Sequence, residues 1–557
     1  MLERISSSFS SNTTNVCEQD FEIILQGVLK HDMWAMKIFD AWGKPLPSGI
    51  LSGHVHWMGN YDECLQQMYL PTNKSFISQP INTQYCTLLS KPPLSITLGL
   101  CVPSSCNQKS IASLIEILFK NSSITENDLT CSNDPPYGQQ GLARGAIITC
   151  IVLSLLILIV LSGTIVDIIL SLQHQLIDSN ITSNINGYNH FSDTEISEFK
   201  LIQVPQNSTS RIIFLAEFSA IRTLRRISTM KIKNNDDSFL FINGIRVLSL
   251  CWVIIGHSIA FGLSYTNNIV DVIVWTRNIA FQLIINATLS VDTFFVLSGF
   301  LTAVLFVRQI QKEKKLSFRL LILYYIHRYI RLTPVLLLMI LVSINLTLYF
   351  GQGPVYPTQK GFESDDCRYS GPTFYKNIYI TPWCRISAYA VGLITGFIVI
   401  NVGREYRLNK MAKIFGTVLI IILIIICLFA TYPDYILASG LNRSIIVAYQ
   451  SLSRTFWAIV IGWILFLCST HQGGIVNKFL SWPIWAPLAR LNYSCYLVHS
   501  TVLHTMIYSQ RMPFFYQAHL VVNNFISQIF FSYVAAIFVT IFFETPFFQL
   551  EKKLFKR

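Results

Sequence analysis

Nine apolar runs, each near the length needed to cross a bilayer, alternate along the chain with polar or basic segments. They fall at Ala146 to Leu172, Phe239 to Ser264, Ile285 to Phe306, Pro334 to Phe350, Ile386 to Val402, Ile414 to Thr431, Ile445 to Cys468, Pro487 to Tyr508 and Asn523 to Phe543. The pattern predicts an all-α polytopic membrane domain of about nine spans. Basic residues collect on alternate sides of the runs: Arg308 to Arg331, with Lys312, Lys314, Lys315, Arg319 and Arg328 between, then Arg404, Arg407, Lys410 and Lys413, then Lys478 and the tail EKKLFKR. By the positive-inside rule these segments are cytoplasmic, as is the carboxyl terminus, and residues 1 to 145 are exoplasmic.

Two runs carry ionisable residues inside apolar sequence. FLFINGIRVLSLCWVIIGHSIAFGLS holds Arg246 and His257, and INATLSVDTFFVLSGFLTAVLF holds Asp292. A charge at the bilayer centre costs at least about 2.5 kcal/mol on insertion scales, so such residues are functional candidates by default. Arg246 and His257 are eleven positions apart, close to three helical turns. They therefore share a face with roughly 16 Å of rise between them. The competing reading is a buried histidine that donates to a backbone carbonyl and an arginine that snorkels at the interface.

The amino-terminal region is polar and has six cysteines, Cys17, Cys64, Cys86, Cys101, Cys106 and Cys131, with no metal-site spacing. An even count of this kind reads as disulfides in an oxidising compartment, with fifteen possible connectivities. Sequons at Asn12, Asn73 and Asn121 fit the same side. MLERISSSFSSNTTN has no apolar signal core, and the expectation is that the sequence lacks its true start rather than that the first span exports the domain ahead of it.

Composition closes off other classes. Of 557 residues 52% are hydrophobic and only 13% charged, which argues against a soluble enzyme. The net charge of +12 does not signal a nucleic-acid partner, because residues 1 to 145 hold nine Lys and Arg against twelve Asp and Glu, and the excess sits in loops between spans. The domains expected are 1–145 (exoplasmic, cysteine-rich), 146–172 (first span), 173–238 (cytoplasmic linker) and 239–557 (membrane domain). The linker shows no periodicity and turns basic at RTLRRISTMKIK; anionic headgroups are a candidate partner for that run.

NGIRVLSLCWVIIGH followed by SVDTFFVLSGFL resembles the opening of the acyltransferase 3 family. HRYIRLTPVLLL at 327–338, LNYSCYLVH at 491–499 and FFETPFFQLEKK at 542–553 resemble its later signatures. WAMKIFDAWGKPLPSGILSGHVHWMGNYDECL and GLCVPSSCN resemble the amino-terminal domain of the nose resistant to fluoxetine proteins, which join such a domain to an acyltransferase 3 region. Against that family the chain is two spans short. CRYSGPTFYKNIYITPWCRISAYAVGLITG runs from one cysteine, Cys367, almost directly into a later motif, which leaves Cys384 as a substitute partner.

The resemblance implies an integral membrane acyltransferase, with acyl-CoA as co-substrate and no bound cofactor. Its acceptor would be a hydroxyl on a lipid, glycan or small molecule. Such chemistry needs a base for the acceptor and positive charge for the anionic donor. His257 suits the base, Asp292 is a candidate partner that orients it, and Arg246, Arg328 and Arg331 are candidate ligands for the phosphates of acyl-CoA. Positive-inside orientation alone also accounts for Arg328 and Arg331. His499 faces either the same cavity or a helix-packing hydrogen bond. Glu544 reads as a membrane-interface terminus. No Gly-x-Ser-x-Gly elbow, Walker or Rossmann pattern is present. The alternatives are a non-enzymatic carrier for lipids or xenobiotics and a shortened, inactive isoform. The membrane is a plasma or secretory-pathway membrane.

Overall fold

The computed structural model describes residues 16–44, 47–70, 74–90, 96–118, 124–133, 142–185, 210–230, 239–313, 318–356 and 381–554. Asn12, Asn73, Asn121 and Cys367 lie outside these residues.

The cysteine-rich region is a small α/β domain. Helices α1 (Val16–Leu29) and α2 (Met33–Asp40), strand β1 (His56–Trp57), helix α3 (Tyr61–Leu65), a two-stranded ribbon β2 (Tyr69–Leu70) and β3 (Ser75–Phe76), strands β4 (Thr83–Leu89) and β5 (Thr97–Pro103), helix α4 (Gln108–Leu118) and strand β6 (Leu129–Cys131) follow in order. The main sheet has the order β1-β5-β4-β6, parallel only between β1 and β5. β4 is buried across Gln84 to Leu88, so it reads as an apolar run rather than as clean alternation.

Three disulfides replace the large core that so small a domain lacks. Cys17–Cys106 ties α1 to the approach to α4, Cys64–Cys101 ties α3 to β5, and Cys86–Cys131 joins neighbouring residues of β4 and β6. One of the fifteen connectivities is thus selected, and each bridge contributes on the order of 2–4 kcal/mol by constraining the unfolded chain.

The membrane domain is helical: α5 (Arg144–Ile185), α6 (Ser210–Ala216), α7 (Ala220–Ser228), α8 (Phe241–Gly262), α9 (Ile269–Trp275), α10 (Leu289–Glu313), α11 (Phe318–Asn345), α12 (Ile386–Val402), α13 (Lys410–Phe429), α14 (Arg443–Ser469), α15 (Trp485–Tyr508), α16 (Ala518–Val539) and α17 (Thr545–Leu554). Among the described residues eight helices are long and apolar enough to span a membrane. The ninth expected span is α15, 24 residues long. Asn492, Ser494 and His499 lower its hydropathy, and all three are buried against neighbouring helices.

One core cluster draws on α8, α11, α15 and α16, another on α8, α10, α12 and α14, so α8 is shared by both. α10 and α12 meet at backbone distance. A Cβ on Gly392 would stand 2.2 Å from the Val296 carbonyl oxygen, and one on Gly396 would stand 2.6 Å from that of Phe300. In lipid, where apolar burial does not drive helices together, small residues at this spacing bring packing forces into play.

Two expectations need correction. The span set at Pro334 to Phe350 is part of a helix that begins at Phe318 and carries Pro334 inside it, since neighbouring groups in a bundle absorb the lost hydrogen bond. Arg328 and Arg331 therefore stand on a spanning helix. The linker is also not without structure: α6 and α7 fold against α5. Ser219 Oγ caps α7 by accepting from the Arg222 amide, and Arg222 reaches back to Asp167 at 2.6 Å. Arg490 of α15 closes the other end, donating to the carbonyls of Arg226, Ile227 and Thr229. A nine-residue helix is marginal by itself; tertiary caps hold this one.

The disulfide domain sits on the outer end of the bundle. Arg511, between α15 and α16, pairs with Asp62 at 3.0 Å and lies over the Tyr61 ring at 4.7 Å. Thr87 Oγ1 donates to the Pro354 carbonyl at 2.8 Å. Met58 belongs to the same core cluster as Tyr265, Leu250 and Leu503 of the membrane domain.

Candidate active site

His257 lies near the outer end of α8. Gly256 before it admits the turn around Ala287, whose Cβ would be 2.7 Å from an added side chain, and Phe261 stacks on the imidazole one turn later at 5.2 Å. From α15, His499 brings its ring parallel to that of His257, with Nδ1 of His257 3.0 Å from Nε2 of His499. His499 Nδ1 lies 2.7 Å from the Tyr496 carbonyl, which only accepts. Hydrogen-bond logic then sets both neutral tautomers. His499 donates from Nδ1 to that carbonyl, so its Nε2 is the acceptor and His257 Nδ1 the donor. The lone pair left over is on His257 Nε2, the atom a general base uses.

Asp292 is not the partner of His257. It pairs with Arg385 at 3.1 Å, and both side chains are almost wholly buried. Arg454, also buried, stands close by and donates to the Cys384 carbonyl at 3.3 Å. Desolvated carboxylate and guanidinium groups compensate each other only when paired, and Arg385 at the start of α12 reaches Asp292 on α10. Sequence reasoning missed Arg385 and Arg454, although Arg454 lies inside an apolar run just as Arg246 does.

The three candidate arginines lie toward the opposite end of the bundle from the disulfide domain. Arg328 donates to Thr302 Oγ1 at 3.1 Å and to Ser298 Oγ at 2.5 Å, two hydroxyls one turn apart on α10. Arg331 covers the Phe548 ring at 5.4 Å and stands near enough to Arg246 for their like charges to interact. Among the described residues Arg246 has no ion pair and no side-chain hydrogen bond. Glu544, within electrostatic reach of Arg331, is half-buried. It accepts from Ser494 Oγ at 2.6 Å where the end of α16 widens to i→i+5 bonding over Thr540–Glu544, a local geometry frequent at functional sites.

The site thus has a paired imidazole base toward the disulfide domain and under-compensated positive charge toward the other side, both on α8. Residues 17–115 match the model of the nose resistant-to-fluoxetine protein amino-terminal domain, and residues 239–365 match that of an acyltransferase domain. The chain is 21% identical to nose resistant to fluoxetine protein 6 of Caenorhabditis elegans, over 94% of this chain and 78% of that protein. No solved structure matches it. Both matches fall in this order along the chain, which thus joins a disulfide-bearing region similar to the nose resistant-to-fluoxetine amino-terminal domain to a membrane region similar to an acyltransferase domain.

Proposed function

We infer that the protein is a membrane acyltransferase that moves an acyl group from acyl-CoA, bound at the arginine side, to a hydroxyl acceptor at His257. The observation that carries this reading is the His257–His499 pair, which leaves His257 Nε2 free to act. His257 Nε2 takes the proton of the acceptor hydroxyl as its oxygen attacks the thioester carbonyl. The C–S bond then breaks, the departing thiolate recovers that proton, and CoA and an ester result. His499 is a positioning residue: its Nε2 holds the Nδ1–H of His257 and supports the imidazolium while it exists.

Arg246 and Arg331, with Arg328 between them and the α10 hydroxyls, supply the positive charge that the donor phosphates require. On this reading the donor and the carboxyl terminus are cytoplasmic and the disulfide domain is exoplasmic. Membrane lipids surround the site, and the acceptor belongs to the class of lipid, glycan or small-molecule alcohols. The acyltransferase match stops at residue 365, just before Cys367, which supports the view that the segment beyond it departs from the family.

The test is binding and turnover of labelled acyl-CoA by the full chain in nanodiscs. Arg246→Ala is expected to weaken acyl-CoA binding about tenfold, the size of one charge-assisted contact, while the apparent affinity for acceptor stays put. If the wild-type chain neither binds acyl-CoA nor releases CoA, the carrier reading replaces this one.

A further inference from the structure

His56 stands where the disulfide domain meets the membrane domain. It lies on β1, its ring packs edge-on against Tyr265 at 5.4 Å, and it bonds the backbone of Ser264 just beyond α8. Its Nδ1 is shut from solvent with no hydrogen-bond partner among the described residues. The groups beside it are His54 on its own segment and Tyr265 at the end of α8; Tyr85 on β4, whose hydroxyl donates to the Met58 carbonyl, stands within reach of Tyr265 and of Tyr61 on α3, where Asp62 follows. Arg511 comes from the loop between α15 and α16, and His504 of α15 lies beneath, against Tyr356 and Tyr508. The carboxylate of this set, Asp62, is engaged by Arg511. Among the described residues, a proton on His56 Nδ1 therefore enters a place with no acceptor and no free counter-charge.

We propose that the disulfide domain is an acid-released cap, held on the outer end of the membrane domain while His56 is neutral and freed when His56 takes a second proton. The interface is built for such a device. Among the described residues its remaining contacts are one half-exposed ion pair, the stacking of its arginine over the Tyr61 ring, the Thr87 to Pro354 hydrogen bond, the approach of Gly53 to Ile269 and the burial of Met58. None of them exceeds a few kcal/mol, so a single buried imidazolium is enough to tip it. Because Met58 shares its core cluster with Leu250 and Ile254 on α8 and Leu503 on α15, the helices that carry His257 and His499, release uncovers the outer approach to that pair.

The sign follows from linkage. Docking holds His56 down at about 4 against 6.5 when free, by desolvation first and by His54 second. The docked state therefore binds fewer protons. Its stability is complete above the free value and is lost as pH falls toward the docked one. Between pH 7.5 and pH 5.0 the docking constant falls by about 30-fold.

Hydroxyl-radical footprinting of the full chain in nanodiscs tests this. Met58, 3% exposed, is the reporter, and Met33, 46% exposed in the same domain, is the internal reference. The ratio of Met58 to Met33 oxidation is expected to rise by up to about 30-fold from pH 7.5 to pH 5.0 and to stay low at both values in His56→Gln, which keeps a donor but cannot charge. His56→Asn serves if the glutamine variant exposes Met58 already at pH 7.5. A wild-type ratio that does not change with pH, or an equal rise in the uncharged variants, overturns the proposal.

Discussion

His257→Ala lowers kcat for acyl transfer by about a thousandfold, within the range that loss of a positioned general base produces, and leaves acyl-CoA binding intact. The expectation rests on the tautomer assignment, because only His257 Nε2 has a lone pair not committed to another protein group of the pair. His499 separates base from support. His499→Gln retains an oxygen able to accept from His257 Nδ1 and keeps most of the activity, whereas His499→Ala loses more and shifts the acid limb of the pH–rate profile. The measurement is CoA release from labelled acyl-CoA, with binding measured in parallel. Should His257→Ala turn over at the wild-type rate, transfer does not pass through this imidazole.

Asp292→Asn destabilises the fold rather than the reaction. Asp292 offsets Arg385 in a dry part of the bundle with Arg454 close by, and removing one member of a buried pair costs about 3–5 kcal/mol. A markedly lower melting temperature in detergent is expected, with the activity of the folded fraction within a few-fold of wild type. The opposite result, an unchanged melting temperature and activity down a hundredfold, would make Asp292 part of the catalytic machinery.

The contrast between these two residues shows what a sequence reveals. Nine helices were legible because bilayer-length apolar runs have few alternatives in lipid. α15 was found among them despite its polar residues. His257, His499 and Asp292 were visible as candidates through one rule, that ionisable groups in apolar runs need a reason. Who pairs with whom was not visible. α8 meets α15 across 242 residues of chain, and Asp292 meets Arg385 across 93; such pairings depend on helix packing, which local periodicity does not encode. Applied evenly, the same rule also singles out Arg454 and Asp167. The helices α6 and α7 were missed because their stability comes from Arg490 and Asp167, not from their own sequence. The sheet of the disulfide domain was missed because β4, buried on both sides, gives no alternating signal.

The seating of α5 sets how far any motion of the disulfide domain extends. α5 is fastened at its outer end, where the Ala143 amide donates to the Tyr349 hydroxyl and Ala146 packs against Val342 of α11 and Leu346 just beyond it, and again further along by Asp167 and Arg222. Residues 134–141 alone join this fixed post to the described part of the domain. Eight residues reach no more than about 28 Å. A domain that lets go therefore remains on a short leash, at an effective concentration on the order of millimolar. It reseats by an intramolecular step, so each excursion is reversible and independent of how much protein the membrane holds.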